Sequence, residues 1–222
     1  MNIYLSGSVA YDRIMSFPGK FSDHILPEKI HMLNVCFTVD HLSEKFGGTA
    51  GNIGYNLALL GETPLILASA GKDFGEYAAW MTQNGLSLSG IRMIPEELTA
   101  SAYITTDQSD NQITGFNLGA MKHPSRYAIP KPAGMAIGVI SPGNVDDMLA
   151  YSRTFKELSI PYIFDPGQSL PIIPKDRLVE ILAGAHIFIS NDYELEMVKK
   201  ATGLDREGIL KLLQQALITT LG

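Results

Sequence analysis

A chain of 222 residues, 45% hydrophobic and 18% charged, is long enough for one large domain or a main domain with a small lobe, and too apolar to be disordered. A net charge of −6 and an isoelectric point near 5.3 leave no basic stripe to neutralise phosphates, which argues against nucleic acid or an anionic membrane as partner but allows a local pocket for one small phosphate ligand. The single cysteine, Cys36, permits no intrachain disulfide and fits a reducing, cytoplasmic setting.

Cys36 sits in the apolar run LNVCFTV, where a packed core thiol is expected rather than a nucleophile. No apolar run approaches the ~18 residues of a transmembrane helix. The opening MNIYLSGSVAYD lacks the basic and small-residue features of a secretory signal.

In chain order, NIYLSGS (2–8) reads as a short buried strand ending in small residues. Residues 13–45 hold Pro18, Gly19 and Pro27, then HMLNVCFTVDHL, whose alternating and apolar stretches suit strands more than a helix. FGGTAGNIGYNLALLG (46–61) packs five glycines into sixteen residues, yet Ala50, Ile53, Leu57 and Leu60 fall at helical spacing, with Gly61 as a C-cap. A glycine inside a helix costs roughly 0.5–1 kcal/mol relative to alanine. Either the backbone turns sharply here or something lies against it.

PLILASAG (64–71) is a continuous apolar run, as expected for a parallel strand buried on both faces, and FGEYAAWMTQNG follows as a helix. TASAYITTD and NQITGFNLG are two β runs with a hairpin-like link at Gln108, Ser109 and Asp110. Regular alternation then resumes: GMAIGVIS, PYIFD, HIFIS and ALITTLG as strands, with VDDMLAYSRTFKELS, KDRLVEILAGA, NDYELEMVKKATG and DREGILKLLQQ as helices.

This rhythm predicts an α/β fold with a mostly parallel central sheet flanked by helices. The insertions near 13–45 and 99–117 are best explained jointly, as one small β-sheet lid over the sheet's edge. A parallel strand must be covered on both faces. The single α/β domain over 1–222 is therefore expected to be incomplete at its C-terminus.

Ligands of open α/β sheets bind outside the carboxyl ends of the strands. There lie Ser8 and Asp12, the Gly47-Gly48 turn, Ser141 to Asn144, then Asp165, Gly167 and Gln168, and Asn191. The segment Gly47 to Asn52 is neither a Walker A loop nor Gly-x-Gly-x-x-Gly. A bare helix entry would let a ligand approach unpaired N–H groups, with Asn52 adding an amide, although two glycines before a helix are usually only a turn.

Ionised Asp12 is able to accept hydrogen bonds from two vicinal hydroxyls, though a lone Asp is commonly an ordinary loop carboxylate. Asn191 with Glu194 three residues on is either a capping box or an amide and carboxylate near a nucleotide phosphate or hydrated Mg²⁺. Tyr103 and Phe116, on the two lid runs, are either lobe core or a stacking clamp for a flat base. The five histidines show no ligand spacing, one cysteine makes a zinc site improbable, and no Gly-x-Ser-x-Gly elbow occurs.

In this order SGSVAYD, FGGTAGNIGYNLALLG, FDPGQ, SNDYE and ITTLG resemble the ribokinase-like carbohydrate and nucleoside kinases, collinearly over the whole chain. FPGKFSDHILPEKIHMLNVCFTVD, FNLGAM, DPGQ and NDYE are similar to the bacterial, mycobacterial-type adenosine kinases of that family.

The resemblance implies ATP- and Mg²⁺-dependent phosphorylation of the 5′-hydroxyl of adenosine to AMP. Asp12 with Gly47, Gly48 and Asn52 would hold the ribose, Ser8 would contact base or sugar, Tyr103 and Phe116 would stack on adenine, and Gln168 would sit beside them. Asn191, Thr220 and Gly222 would contact ATP, and Glu194 would meet Mg²⁺ through water. The family's Gly-Ala-Gly-Asp-like loop, bearing the general base, does not occur within these 222 residues, so no turnover is expected of this chain. The alternatives are a sugar kinase of the same family acting on ribose or fructose, and a non-catalytic nucleoside-binding protein. Unpaired edges of a β lobe invite a second copy, a homodimer through the lid.

Overall fold

The computed structural model describes residues 1–221. In the first half of the chain it has strands β1 (Asn2–Ser6), β2 (Ala10–Ser16) and β3 (His41–Gly47), helix α1 (Thr49–Leu59), β4 (Leu65–Gly71), α2 (Gly75–Gln83), β5 (Ile91–Ile94), β6 (Ala100–Thr106) and β7 (Gln112–Asn117). Then follow β8 (Ala136–Ile140), α3 (Val145–Glu157), β9 (Tyr162–Phe164), α4 (Lys175–Leu182), β10 (Ile187–Asn191), α5 (Asp192–Thr202), α6 (Arg206–Leu212) and β11 (Ala216–Thr220).

Seven strands form one parallel sheet in the order β11-β10-β9-β8-β1-β4-β5. Successive strand residues point to opposite faces, and the core divides accordingly. Tyr4, Leu67 and Ile140 join Met148, Phe155, Ile181 and Val198 of α3, α4 and α5 on one face. Their neighbours Leu5, Ile66 and Val139 join Ala50, Tyr77 and Met81 of α1 and α2 on the other. Each fully buried Leu, Ile or Phe contributes about 1.5–3 kcal/mol, which is what makes the continuous apolar runs into central strands. Among the described residues no helix is long and apolar enough to cross a membrane.

The chain runs from β1 to β4 on one side and only later returns to β8 on the other, so the strand order reverses between β1 and β8. Such a reversal splays the loops at the carboxyl ends and opens a crevice. The two β-rich insertions meet in a second sheet, ordered β3-β2-β6-β7, with β2 and β6 parallel and the outer pairs antiparallel. Three bonds tie the first insertion to the tip of the second: Gln108 N donates to Gly19 O, Gln108 Nε2 to Pro18 O and Phe21 N to Asp107 Oδ2, each at 2.9 Å.

Local expectations fail in four places. The strand expected within HMLNVCFTVDHL begins only at His41; Pro27–Met32 is a 3₁₀ turn, and 33–39 forms no ladder. Phe37 instead packs against Phe17 and Phe21, with ring centroids 4.8 and 5.1 Å apart, giving the insertion its own small aromatic core. Cys36, on the opposite side of that segment, is exposed and is not a core thiol. The strand β5 gave no readable pattern, because IRMI is short and its pairing with β4 is a tertiary contact. The buried face of α1 is Ala50, Gly51 and Gly54, and Leu60 of the expected apolar stripe is 80% exposed.

Candidate functional site

The crevice between β1 and β8 is organised by hydroxyl groups. Thr49, the first residue of α1, donates from Oγ1 to Pro142 O at 2.6 Å and accepts from Ser8 N at 3.2 Å. Ser141, fully buried, has its Oγ 3.1 Å from the same Thr49 oxygen and 2.9 Å from Ser6 O. Ser8 N also donates to Pro142 O at 3.1 Å. The loops after β1, β3 and β8 are thereby knotted together.

The same contacts correct the idea of a helix mouth with free amides. Thr49 N donates to Ser8 Oγ at 3.0 Å, Ala50 N and Gly51 N donate to Ser8 O at 2.9 and 3.2 Å, and Asn52 N donates to Gly48 O at 2.9 Å. Thr49, Ala50 and Gly51 N, which a helix normally leaves unpaired, are satisfied within the chain, and Asn52 N makes the first ordinary helical bond. Ser8 is therefore a cap supplied by the loop between β1 and β2, and it also borders one of the two cavities that open here.

The glycines divide into two sets. Gly48 has φ +86°, a conformation open only to glycine, and a Cβ there would fall 2.6 Å from Ser8 O and 2.7 Å from Ala10 N. Gly51 and Gly54 lie deeper, where a Cβ would overlap Tyr77 Oη or press on Ile66. These two serve helix packing and not a ligand. Tyr77 in turn donates to Gly47 O at 2.8 Å.

Asp12 is on β2 rather than in a loop, directly opposite Gly47's neighbours in the register Asp12↔Lys45 and Ala10↔Gly47. Its carboxylate lies so close over Gly47 that any side chain at 47 would overlap it. Burial raises the Asp12 pKa, with the charge of Lys45 opposing, and no hydrogen bond to the carboxylate contributes. A half-buried acceptor is thus left uncommitted beside a bare glycine backbone.

Two cavities open at the loops after β1 and β8 and share Pro142 and Gln168; Asp12, Gly47 and Gly48 line neither. The first, about 400 Å³, is lined mostly by polar residues and brings together Thr49, Asn52, Asp165, Asn191, Glu194 and Thr220. The second, about 410 Å³, is mainly apolar and brings together Ser8, Phe116, Leu118, Met121 and Ile172. Gly167 has φ +40°, and a Cβ there would fall 2.6 Å from the ring of Pro142, so the segment leading to Gln168 can lie against Pro142 only because this position is bare.

Asn191 and Glu194 form the capping box of α5: Glu194 N donates to Asn191 Oδ1 at 2.7 Å, and Asn191 N donates to Glu194 Oε2 at 2.9 Å. The structural reading thus holds, and the pair still borders the first cavity. Asp165 has its pKa raised by burial and by the charge of Glu194, so one wall carries closely spaced carboxyls. Thr220 ends β11 and is exposed to the same space. Gly222 lies outside the described residues. Asn144, on the expected rim, caps α3 and donates to Met121 O, so it is committed to structure.

Tyr103 does not join the site. Phe116 pairs with Ala102, whereas Tyr103 pairs with Gly115 and Arg13, so the two aromatics stand on opposite faces of the second sheet. Arg13 donates to Tyr103 Oη at 2.8 Å, to Ser101 Oγ at 2.8 Å and to Glu44 Oε2 at 2.7 Å. No two-sided clamp forms. Sequence reasoning missed Thr49, Leu118, Met121 and Ile172; a hydroxyl at a helix start and apolar residues beside 3₁₀ turns carry no signal of a shared cavity.

Residues 12–222 match the pfkB family of carbohydrate kinases. The chain is 28% identical over 194 residues to a nucleoside kinase of Methanocaldococcus jannaschii, covering 86% of this chain and 64% of that protein's length. Among solved structures it is similar to Burkholderia thailandensis nucleoside kinase in complex with inosine, at a TM-score of 0.82 and 35% identity over 98% of this chain and 69% of that one. The same enzyme in complex with ADP-inosine gives 0.78 and 36%, over 98% and 68%. The Methanocaldococcus jannaschii nucleoside kinase structure, an archaeal member of the ribokinase family, gives a TM-score of 0.84 at 26% identity over all of this chain and 71% of that one. With the match extending from Asp12 through the rest of the sequence, this chain belongs to the pfkB carbohydrate kinase family.

Proposed function

We propose that this chain carries the acceptor site of an ATP-dependent nucleoside kinase, with a purine nucleoside such as adenosine phosphorylated at its 5′-hydroxyl to AMP in cytoplasmic purine salvage. One observation carries the reading: a mainly apolar cavity and a carboxylate- and amide-lined cavity adjoin at Gln168 and Pro142. The base would occupy the apolar cavity against Phe116, and Asp12 with Asn52 would hold the ribose hydroxyls over Gly47 and Gly48. The nucleotide phosphates would lie near Asn191 and Thr220.

The donor set fits a hydrated Mg²⁺. Among the described residues no group of three or more His, Cys, Asp and Glu gathers, and a cation that keeps several waters needs only one or two carboxylates, here Glu194 and Asp165. Mg²⁺ would neutralise phosphate charge. The chain's own share is positioning and exclusion of water, which is most of what phosphoryl transfer demands of a protein. The second sheet would act as the lid, and its outer strands β3 and β7, each paired on one side only, would offer edges to a second copy.

The relatives support the nucleoside: the Burkholderia thailandensis enzyme was solved with inosine and with ADP-inosine. One observation favours a free sugar instead, namely that Tyr103 turns away and halves the aromatic clamp. A calorimetric screen of adenosine, inosine, ribose and fructose against this chain separates the two. Nucleosides should bind and free sugars should not; binding by sugars alone overturns the nucleoside reading.

A further inference from the structure

We propose that Thr49 is the positioning residue of this site, holding the apolar and polar cavities at a fixed separation. The inference rests on the nucleoside reading above and deepens it. Thr49 Oγ1 has one proton and two lone pairs, and four groups crowd it: it donates to Pro142 O at 2.6 Å, accepts from Ser8 N at 3.2 Å, and stands 3.1 Å from Ser141 Oγ and 3.3 Å from Ser8 Oγ. Its partners are the walls of both cavities. Ser8 borders the apolar one, Ser141 the polar one, and Pro142 both.

Space has been cleared for this oxygen. A Cβ at Gly7 would fall 2.7 Å from Thr49 Oγ1 and overlap Ser141 Oγ, so the loop after β1 must be bare where the knot is tied. A ligand spanning the two cavities would have its base in the cavity that Ser8 borders and its sugar held near Asn52, three residues along the helix that Thr49 begins. Thr49 itself lines the polar cavity, but its hydroxyl is turned to the loops it joins, and it sets the distance between the groups on either side.

The test is nucleoside binding by the chain, read with thermal unfolding. Thr49→Val keeps the volume and removes the hydroxyl, and inosine and adenosine should then bind about tenfold more weakly, the equivalent of one hydrogen bond. Thr49→Ser restores the hydroxyl and should restore the affinity, which a purely volumetric role would not do. If unaltered protein binds a nucleoside and Thr49→Val binds equally well, this inference falls and the nucleoside reading stands. If unaltered protein binds none, both fall. Should Thr49→Val not fold, Ser141→Ala removes a hydroxyl that stands against the same oxygen: about threefold weaker binding is expected, and unchanged binding overturns the inference.

Discussion

Gly48 and Gly61 have nearly the same φ, +86° and +84°, but different surroundings. Nothing lies within 4 Å of a Cβ at Gly61, whereas one at Gly48 meets the Ser8 and Ala10 backbone. Gly61→Ala should therefore cost about 1 kcal/mol of left-handed strain, and Gly48→Ala at least ~3 kcal/mol, compared by urea denaturation. Equal costs would mean that the turn before α1 is not crowded.

Asp12 is set by burial rather than by bonding. Its raised pKa means that ionisation in the folded state costs stability; that cost is absent below the unfolded value of 3.8 and appears as pH rises through the folded value. Asp12→Asn should therefore leave neutral-pH stability unchanged or higher. The same change should weaken nucleoside binding by about 10- to 100-fold, because a charged acceptor of two hydroxyls is lost. Calorimetry beside denaturation separates the two effects.

At the scale of elements, the β6–β7 hairpin is closed by one side chain. Burial works against ionisation of Asp107, yet it accepts from Phe21 N, from Asn111 Nδ2, and from Ser109 N and Asn111 N, and its pKa falls to about 2. A depressed carboxyl stabilises the fold above its unfolded pKa of 3.8, and that stabilisation is lost as pH falls toward 2. Amide exchange at Phe21, corrected for intrinsic rate, should lose protection across that interval. Asp107→Ala should lose it at pH 7. Exchange at Leu67, in β4, should change in neither case.

The helix α1 shows the same economy of contact. Its glycine face allows Tyr77 to approach and to bond Gly47 O, joining the central sheet's helical layer to the end of β3. Of the residues that carried the helical spacing, Ala50 and Ile53 pack on the core, whereas Leu60 is exposed.

For the whole molecule, the decisive feature is the reversal of strand order between β1 and β8, which brings residues from positions 8, 49, 116, 142 and 168 around adjoining cavities. A ligand bound there by the folded chain alone stabilises it by mass action, by about 2.7 kcal/mol at a hundred times its dissociation constant. The nucleosides that bind in the calorimetric screen should raise the unfolding temperature accordingly, and ribose and fructose should not. A rise with the free sugars and none with nucleosides would favour the sugar reading.

The sequence alone determined the kinship and the elements of the parallel sheet other than β5. Runs such as LILASAG and AIGVI are apolar or small at every position because both faces are covered, and that pattern is local information. It likewise marked Asp12, Asn52, Phe116, Gln168, Asn191 and Glu194 as candidates, since strand ends and helix starts are readable in one dimension. Only the tertiary structure decided which of them share a cavity. The face on which Tyr103 stands depends on register, and a shift of one residue reverses it. The glycines' division between turn and packing, the capping of α1 by Ser8, and the knot at Thr49 all join residues far apart in the chain. Such contacts leave no periodic trace, because their partners are chosen by the crossing of strands and not by spacing along them.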